Sequence, residues 1–136
     1  MMSKRRFPPG WTEAKFGKIA TFKNGANFSA SDRGVELKML GVGDFQDRVS
    51  LKDTADLKSV HLASQPAVDN FLEAEDLVFV RSNGSKELVG RCLHIECSPR
   101  LLIYSGFCIR VRLQSEITTA QYVNLLMQRG VLKKQL

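Results

Sequence analysis

The sequence predicts an α+β fold: a twisted, mainly antiparallel sheet with a few short helices and one helix near the C-terminus. Three observations carry this. Residues 77–80, Leu-Val-Phe-Val, form a short continuous apolar run, as a strand buried on both faces does. Residues 107–113 alternate strictly, with Phe107, Ile109, Val111 and Leu113 on one side and Cys108, Arg110, Arg112 and then Gln114 on the other. After Thr118 the period changes to that of a helix.

Along the chain, Pro8-Pro9-Gly10 is a rigid entry, and Trp11 behind it is expected to pack as an anchor. Asn24-Gly25 reads as a tight turn with positive φ, and Asp32-Arg33-Gly34 as another turn. Residues 36–42 read as a strand running into a Gly41-Val42-Gly43-Asp44 loop, and residues 64–71 hold a short helix after Pro66. Residues 90–96 form a further strand. Thr118-Thr119-Ala120-Gln121 has capping-box spacing, and Val123, Leu126 and Met127 form the apolar stripe of a helix that stops at Gly130.

The 136 residues are 43% apolar and 25% charged, which suits one globular domain over 1–136 and disfavours disorder. No run approaches the ~18 apolar residues of a membrane span. The basic opening at Met1 has no apolar stretch behind it, so it is unlike a secretory leader. Cys92, Cys97 and Cys108 are an odd set, read as reduced thiols of a cytoplasmic protein.

The net charge of +6 is unevenly placed. Residues 1–80 hold 11 basic and 11 acidic side chains, whereas from Arg81 onward 9 basic residues face only Glu87, Glu96 and Glu116. A one-sided positive field suits a polyanion, because neutralised phosphates release their counterions. It is also an ordinary solubility device.

Catalytic and metal constellations are poor. His61 and His94 are far apart in sequence, and Cys92, His94 and Cys97 lack the two short paired spacings of a zinc site. Cys108 beside Arg110 reads as a structural thiol, and Asp44 with Asp47, or Glu73 with Glu75 and Asp76, as caps or solvated surface. Gly41-Val42-Gly43 lacks the third glycine of a dinucleotide fingerprint, where Gln46 stands, and Ser82-Asn83-Gly84-Ser85-Lys86 lacks the first glycine of a P-loop. No catalytic residue and no metal ligand is assigned.

The segment from Val80 to Arg91 is the most informative. It leaves a buried strand, exposes the polar tip Arg81-Ser82-Asn83-Gly84-Ser85-Lys86, and returns towards a strand carrying Arg91. Arginine forks to guanine, asparagine pairs with adenine, and Asn-Gly lets backbone N–H groups approach a phosphate. A hairpin turn with solvated polar residues would have the same composition.

The same segment, Leu77-Val78-Phe79-Val80-Arg81-Ser82-Asn83-Gly84-Ser85 through Glu87-Leu88-Val89-Gly90-Arg91, resembles the target recognition domain of Type I restriction–modification specificity subunits. Gly10-Trp11, Phe16-Gly17-Lys18-Ile19, Gly43-Asp44-Phe45, residues 105–112 and Tyr122-Val123 are similar to further parts of the family pattern. Two features depart from it. Glu75-Asp76 stands where the family has Gly-Asp, and the 136 residues are expected to hold one such domain without the family's second domain and long helical spacer.

The resemblance implies a non-catalytic reader of one half of a bipartite double-stranded DNA site. Its partners would be a methyltransferase (modification) subunit and a restriction (motor) subunit. It implies no cofactor for this chain, since S-adenosylmethionine, ATP and Mg would belong to the partner subunits. Arg81, Ser82, Asn83, Gly84, Ser85 and Lys86 are the expected DNA-binding tip. Arg91, Arg110 and Arg112 are expected at the DNA backbone, joined by Lys23 and Asn24. The alternatives are a protein-interaction module or an inactive remnant with only non-specific DNA affinity.

Overall fold

The computed structural model describes residues 8–81, 86–114 and 116–129. A single helical turn, α1 (Phe16–Ile19), leads directly into β1 (Ala20–Asn24). Then come β2 (Ala30–Leu40), a 3₁₀ turn at Val42–Phe45, β3 (Ser50–Leu51), β4 (Ser59–Leu62) and a second 3₁₀ turn at Val68–Asn70. The rest comprises β5 (Leu77–Val80), β6 (Cys92–Ile95), β7 (Leu102–Tyr104), β8 (Cys108–Leu113) and α2 (Ala120–Gln128).

The expected α+β class holds, and the strands divide between two sheets. The larger has the order β1-β8-β5-β6-β3, antiparallel except for the β3–β6 pair. The smaller has the order β4-β2-β7, with β2 and β7 parallel.

Side-chain alternation decides the layering. Leu77, Cys92 and Val111 leave one face of the larger sheet and meet Ala120, Val123 and Met127 of α2. Leu51, Val78, Val80, Leu93, Ile95 and Cys108 leave the other face and meet Leu40, Leu102 and Tyr104 of the smaller sheet, with Phe45 and Leu72 filling in from the connections. Ile103 and Leu37 project from the far side of the smaller sheet towards Leu62 and Phe71. The larger sheet is therefore covered on both faces. That is why β5 needed a continuous apolar run and not an alternating one.

Several local expectations change. Trp11 is 61% exposed and anchors nothing in the core. Asp32-Arg33-Gly34 lies inside β2, where a register shift lets both Ala30 and Val35 face Leu62. Ser31 Oγ holds this bulge by accepting from Arg33 N and donating to Arg33 O. The strand expected at 36–42 starts earlier and stops at Leu40, because Asp44 accepts a 2.8 Å bond from Gly41 N and winds the chain into the 3₁₀ turn. The helix expected in 64–71 is the single turn Val68–Asn70. In α2 the cap is Thr119, whose side chain accepts from Tyr122 N. Gly130 lies outside the described residues.

Candidate nucleic-acid interface

β5 enters the site from the middle of the larger sheet. It pairs with β8 so that Val80 faces Cys108, and with β6 so that Phe79 faces Cys92. β1 runs antiparallel to β8, which puts Asn24 opposite Ile109. These registers bring the end of β1, the end of β5 and the starts of β6 and β8 to the same end of the sheet. Three connections meet there: residues 25–29, the described ends of 81–91 and residues 105–107.

The connections are tied together by backbone geometry. Arg81 N donates 2.7 Å to Phe107 O, and Arg81 Nη2 donates 3.0 Å to Gly106 O. Gly25 N donates 2.9 Å to Cys108 O. Gly25 is not among the residues with positive φ. Glycine is required there because a Cβ would collide with the Ser105 carbonyl, so residues 24–25 continue beside β8 and do not form the expected turn. Across the base of the long connection, Gly90 N bonds Val80 O and Val80 N bonds Arg91 O, with Gly90 at φ +88°.

Of the expected DNA-binding residues, the fold brings Arg81, Arg91 and Asn24 to this end, with Lys23 next to them and Lys86 on the connection that leads to Arg91. Arg81, Lys86, Arg91 and Asn24 are exposed. Arg91 also braces the site, donating through Nη1 to Gln46 O at 2.9 Å and Phe45 O at 3.3 Å. Lys23 is committed to Asp69 at 2.9 Å, and that contact holds the Asp69 carboxyl below its ordinary range. Ser82, Asn83, Gly84 and Ser85 lie outside the described residues.

Arg110 and Arg112 are elsewhere. They share the Cys108 face of β8, as the alternation implies, but that face looks into the protein. Arg110 is only 4% exposed and donates 2.8 Å to Asp69 O, while its Nε has no partner among the described atoms. Arg112 forks onto Asp76 through Nε and Nη2, both at 2.8 Å, and that hydrogen bonding raises its pKa. Both guanidiniums therefore have internal partners where DNA-backbone contacts had been expected.

An incompletely satisfied buried cation contributes little stability, and an apolar side chain of similar length often does as well or better by ~1–4 kcal/mol. Arg110→Met is expected to hold or raise the urea midpoint and to leave DNA affinity unchanged. A marked loss of affinity would return Arg110 to the interface.

Burial pushes the Cys108 thiol up to about 12, with Asp44 adding to the rise and Arg81 opposing it, and burial raises Cys92 as well. All three cysteines are free thiols. His94 is buried beside Cys92 on β6, with Nε2 3.0 Å from Glu75 Oε2. Glu75 sits at φ +72°, a conformation that glycine adopts without strain, at the position where the sequence departs from the family's Gly-Asp. Among the described residues, no group of three or more His, Cys, Asp or Glu side chains is placed to hold a metal ion. No described helix is long and apolar enough to cross a membrane.

Two residues at this end were not singled out from sequence, Asn27 and Phe107. The signal for Phe107 was the Ser105-Gly106 turn before it, masked by counting Phe107 into the alternating strand.

Comparison with known proteins follows the same lines. No family model matches the sequence. The chain is 26% identical over 125 residues to the Type I restriction enzyme StySPI specificity subunit of Salmonella potsdam, an alignment covering 89% of this chain and 26% of that protein. It thus spans about a quarter of the length of that curated relative. In fold it matches a chain from a solved structure concerned with complex assembly and conformational transition of the type I R-M system. The TM-score is 0.60 at 12% identity, over 91% of this chain and 28% of the other. The chain resembles the target recognition domain of a Type I restriction–modification specificity subunit, as residues 77–91 had indicated.

Proposed function

We propose that this chain reads one half of a bipartite duplex DNA site for a Type I restriction–modification system. In this reading it directs a methyltransferase subunit, and with it a motor subunit, to the site and performs no catalysis itself. S-adenosylmethionine, ATP and Mg would be bound by those partners, and the protein would act in the cytoplasm. The observation that carries the reading is the convergence of three connections on Arg81 at one end of the larger sheet. It supplies a cation with a planar fork, exposed amides at Asn24 and Asn27, and the positive residues Lys86 and Arg91 on a braced backbone. Base edges are read by such groups, and phosphates hold the register.

An adjoining surface supports the partner half of the proposal. An open groove of about 580 Å³ on the α2 side of the sheet is lined mainly by apolar side chains, Phe16, Phe22, Phe79, Ile109, Val123 and Met127, and also by Arg81. Tyr122 and Leu125 are exposed on the helix itself. The groove's apolar stretch suits a protein partner.

The test is selection from a random duplex pool at moderate salt. Enrichment of a short motif supports a half-site reader. Retention without enrichment reduces the reading to a generic basic surface, and no retention at low salt removes it in favour of a protein-interaction module. Within a selected site, Arg81→Ala is expected to cost ~1–3 kcal/mol and relax one base position. Arg81→Lys should keep the charge and still lose that position, because lysine has no fork. A uniform loss on all sequences, with a shallower salt slope, would assign Arg81 to phosphate instead.

A further inference from the structure

Phe107 is 54% exposed at the tip of the connection between β7 and β8. Its backbone is fixed on both sides. Phe107 N donates 3.2 Å to Ser105 Oγ, Phe107 O accepts from Arg81 N, and the next residue, Cys108, is fully buried with N bonded to Ser105 O at 3.0 Å. Gly106 is held by the Arg81 side chain and packs so closely on Asn27 that a Cβ would collide with the Asn27 side-chain amide. The exposed ring of Phe107 thus stands on a fixed base, next to the residue where the Arg81 guanidinium and the Asn27 amide meet.

Resting on the DNA-reading proposal, we infer that Phe107 is a specificity-determining residue that makes apolar contact with the 5-methyl group of a thymine in the major groove. The fork and amides around it recognise donors and acceptors. They offer nothing to the one base-edge feature that is a hydrocarbon. A rigid aromatic edge beside them completes the set, and it loses little freedom on binding because its backbone is already fixed.

The test uses the full chain, first on a random duplex pool and then on the selected site with individual thymines replaced by deoxyuridine, which pairs identically and lacks the methyl group. One thymine position should vanish from the motif selected by Phe107→Ala and persist with Phe107→Leu. Deoxyuridine at that position should weaken wild-type binding about fourfold, the worth of one buried methyl group, and leave Phe107→Ala unaffected.

A Phe107→Ala motif identical to wild type overturns the inference, as does equal sensitivity of both proteins to deoxyuridine. Uniform weakening without deoxyuridine sensitivity also overturns it, in favour of a wedge between base steps. In each of these cases the wild type still selects a motif and the DNA-reading proposal stands. A wild type that selects nothing removes both.

Discussion

Asp76→Ala is expected to remove ~3–5 kcal/mol of folding stability, a large share of the ~5–15 kcal/mol that a domain has. Asp76 is 1% exposed, and both of its oxygens are in use. Oδ1 accepts from Arg112 Nε, while Oδ2 accepts from Arg112 Nη2 and from Glu73 N at 2.7 Å. Removing the carboxylate leaves a half-buried guanidinium without its bidentate partner and strands a backbone donor. The desolvation already incurred is then no longer offset. The pair also fixes position, because Asp76 immediately precedes β5 and its carbonyl accepts from Ile95 N.

Urea unfolding at constant ionic strength measures the effect. The double replacement Asp76→Leu with Arg112→Met should recover most of the loss, since packed apolar groups often serve where a buried pair stood. A loss below ~1 kcal/mol for Asp76→Ala would place the pair with exposed ion pairs of little worth.

Leu93→Ala is expected to cost ~2–5 kcal/mol. Leu93 is completely buried on β6, among the side chains that the two sheets press together, and β6 is flanked by β5 and β3. Neither neighbour is free to close a cavity there, so the upper part of the range is expected. Leu125→Ala is the contrast. Leu125 is exposed on α2, and its loss should change stability by no more than ~0.5 kcal/mol while weakening any partner that covers the helix. Urea midpoints of the two variants measured side by side test the layering itself, because a similar small effect at both positions would mean the sheets are not pressed together at Leu93.

Much of the frame was legible because its signals are local. The apolar run at 77–80 and the period change after Thr118 each fix an element by themselves. β1, β3, β4 and β7 were not read, since two to five residues without a continuous apolar run carry too little signal, and β2 was cut short because its bulge resembles a turn. Arg110 and Arg112 show a subtler limit. Alternation correctly placed them on one face with Cys108, but it says nothing about which face meets water. A second sheet and the 67–76 segment cover that face, and only the assembled fold shows it. The site was half legible for the same reason. Arg81 announced itself by its sequence context, whereas Phe107 and Asn27 gain meaning from neighbours brought together by strand register.

The pairing of β1 with β8 sets a schedule for synthesis on the ribosome. Ala20 bonds to the strand that holds Leu113, and Asn24 faces Ile109, so β1 waits for the much later β8. Until then the larger sheet has an open edge beside β5, and the face of β5 and β6 that packs on α2 lacks its cover. Domains dominated by such distant pairings fold on the slow millisecond-to-second scale and expose strand edges while they wait. Nascent chains arrested before residue 108 should therefore be protease-sensitive and recruit chaperones. Those released after β8 clears the exit tunnel should become resistant in one step.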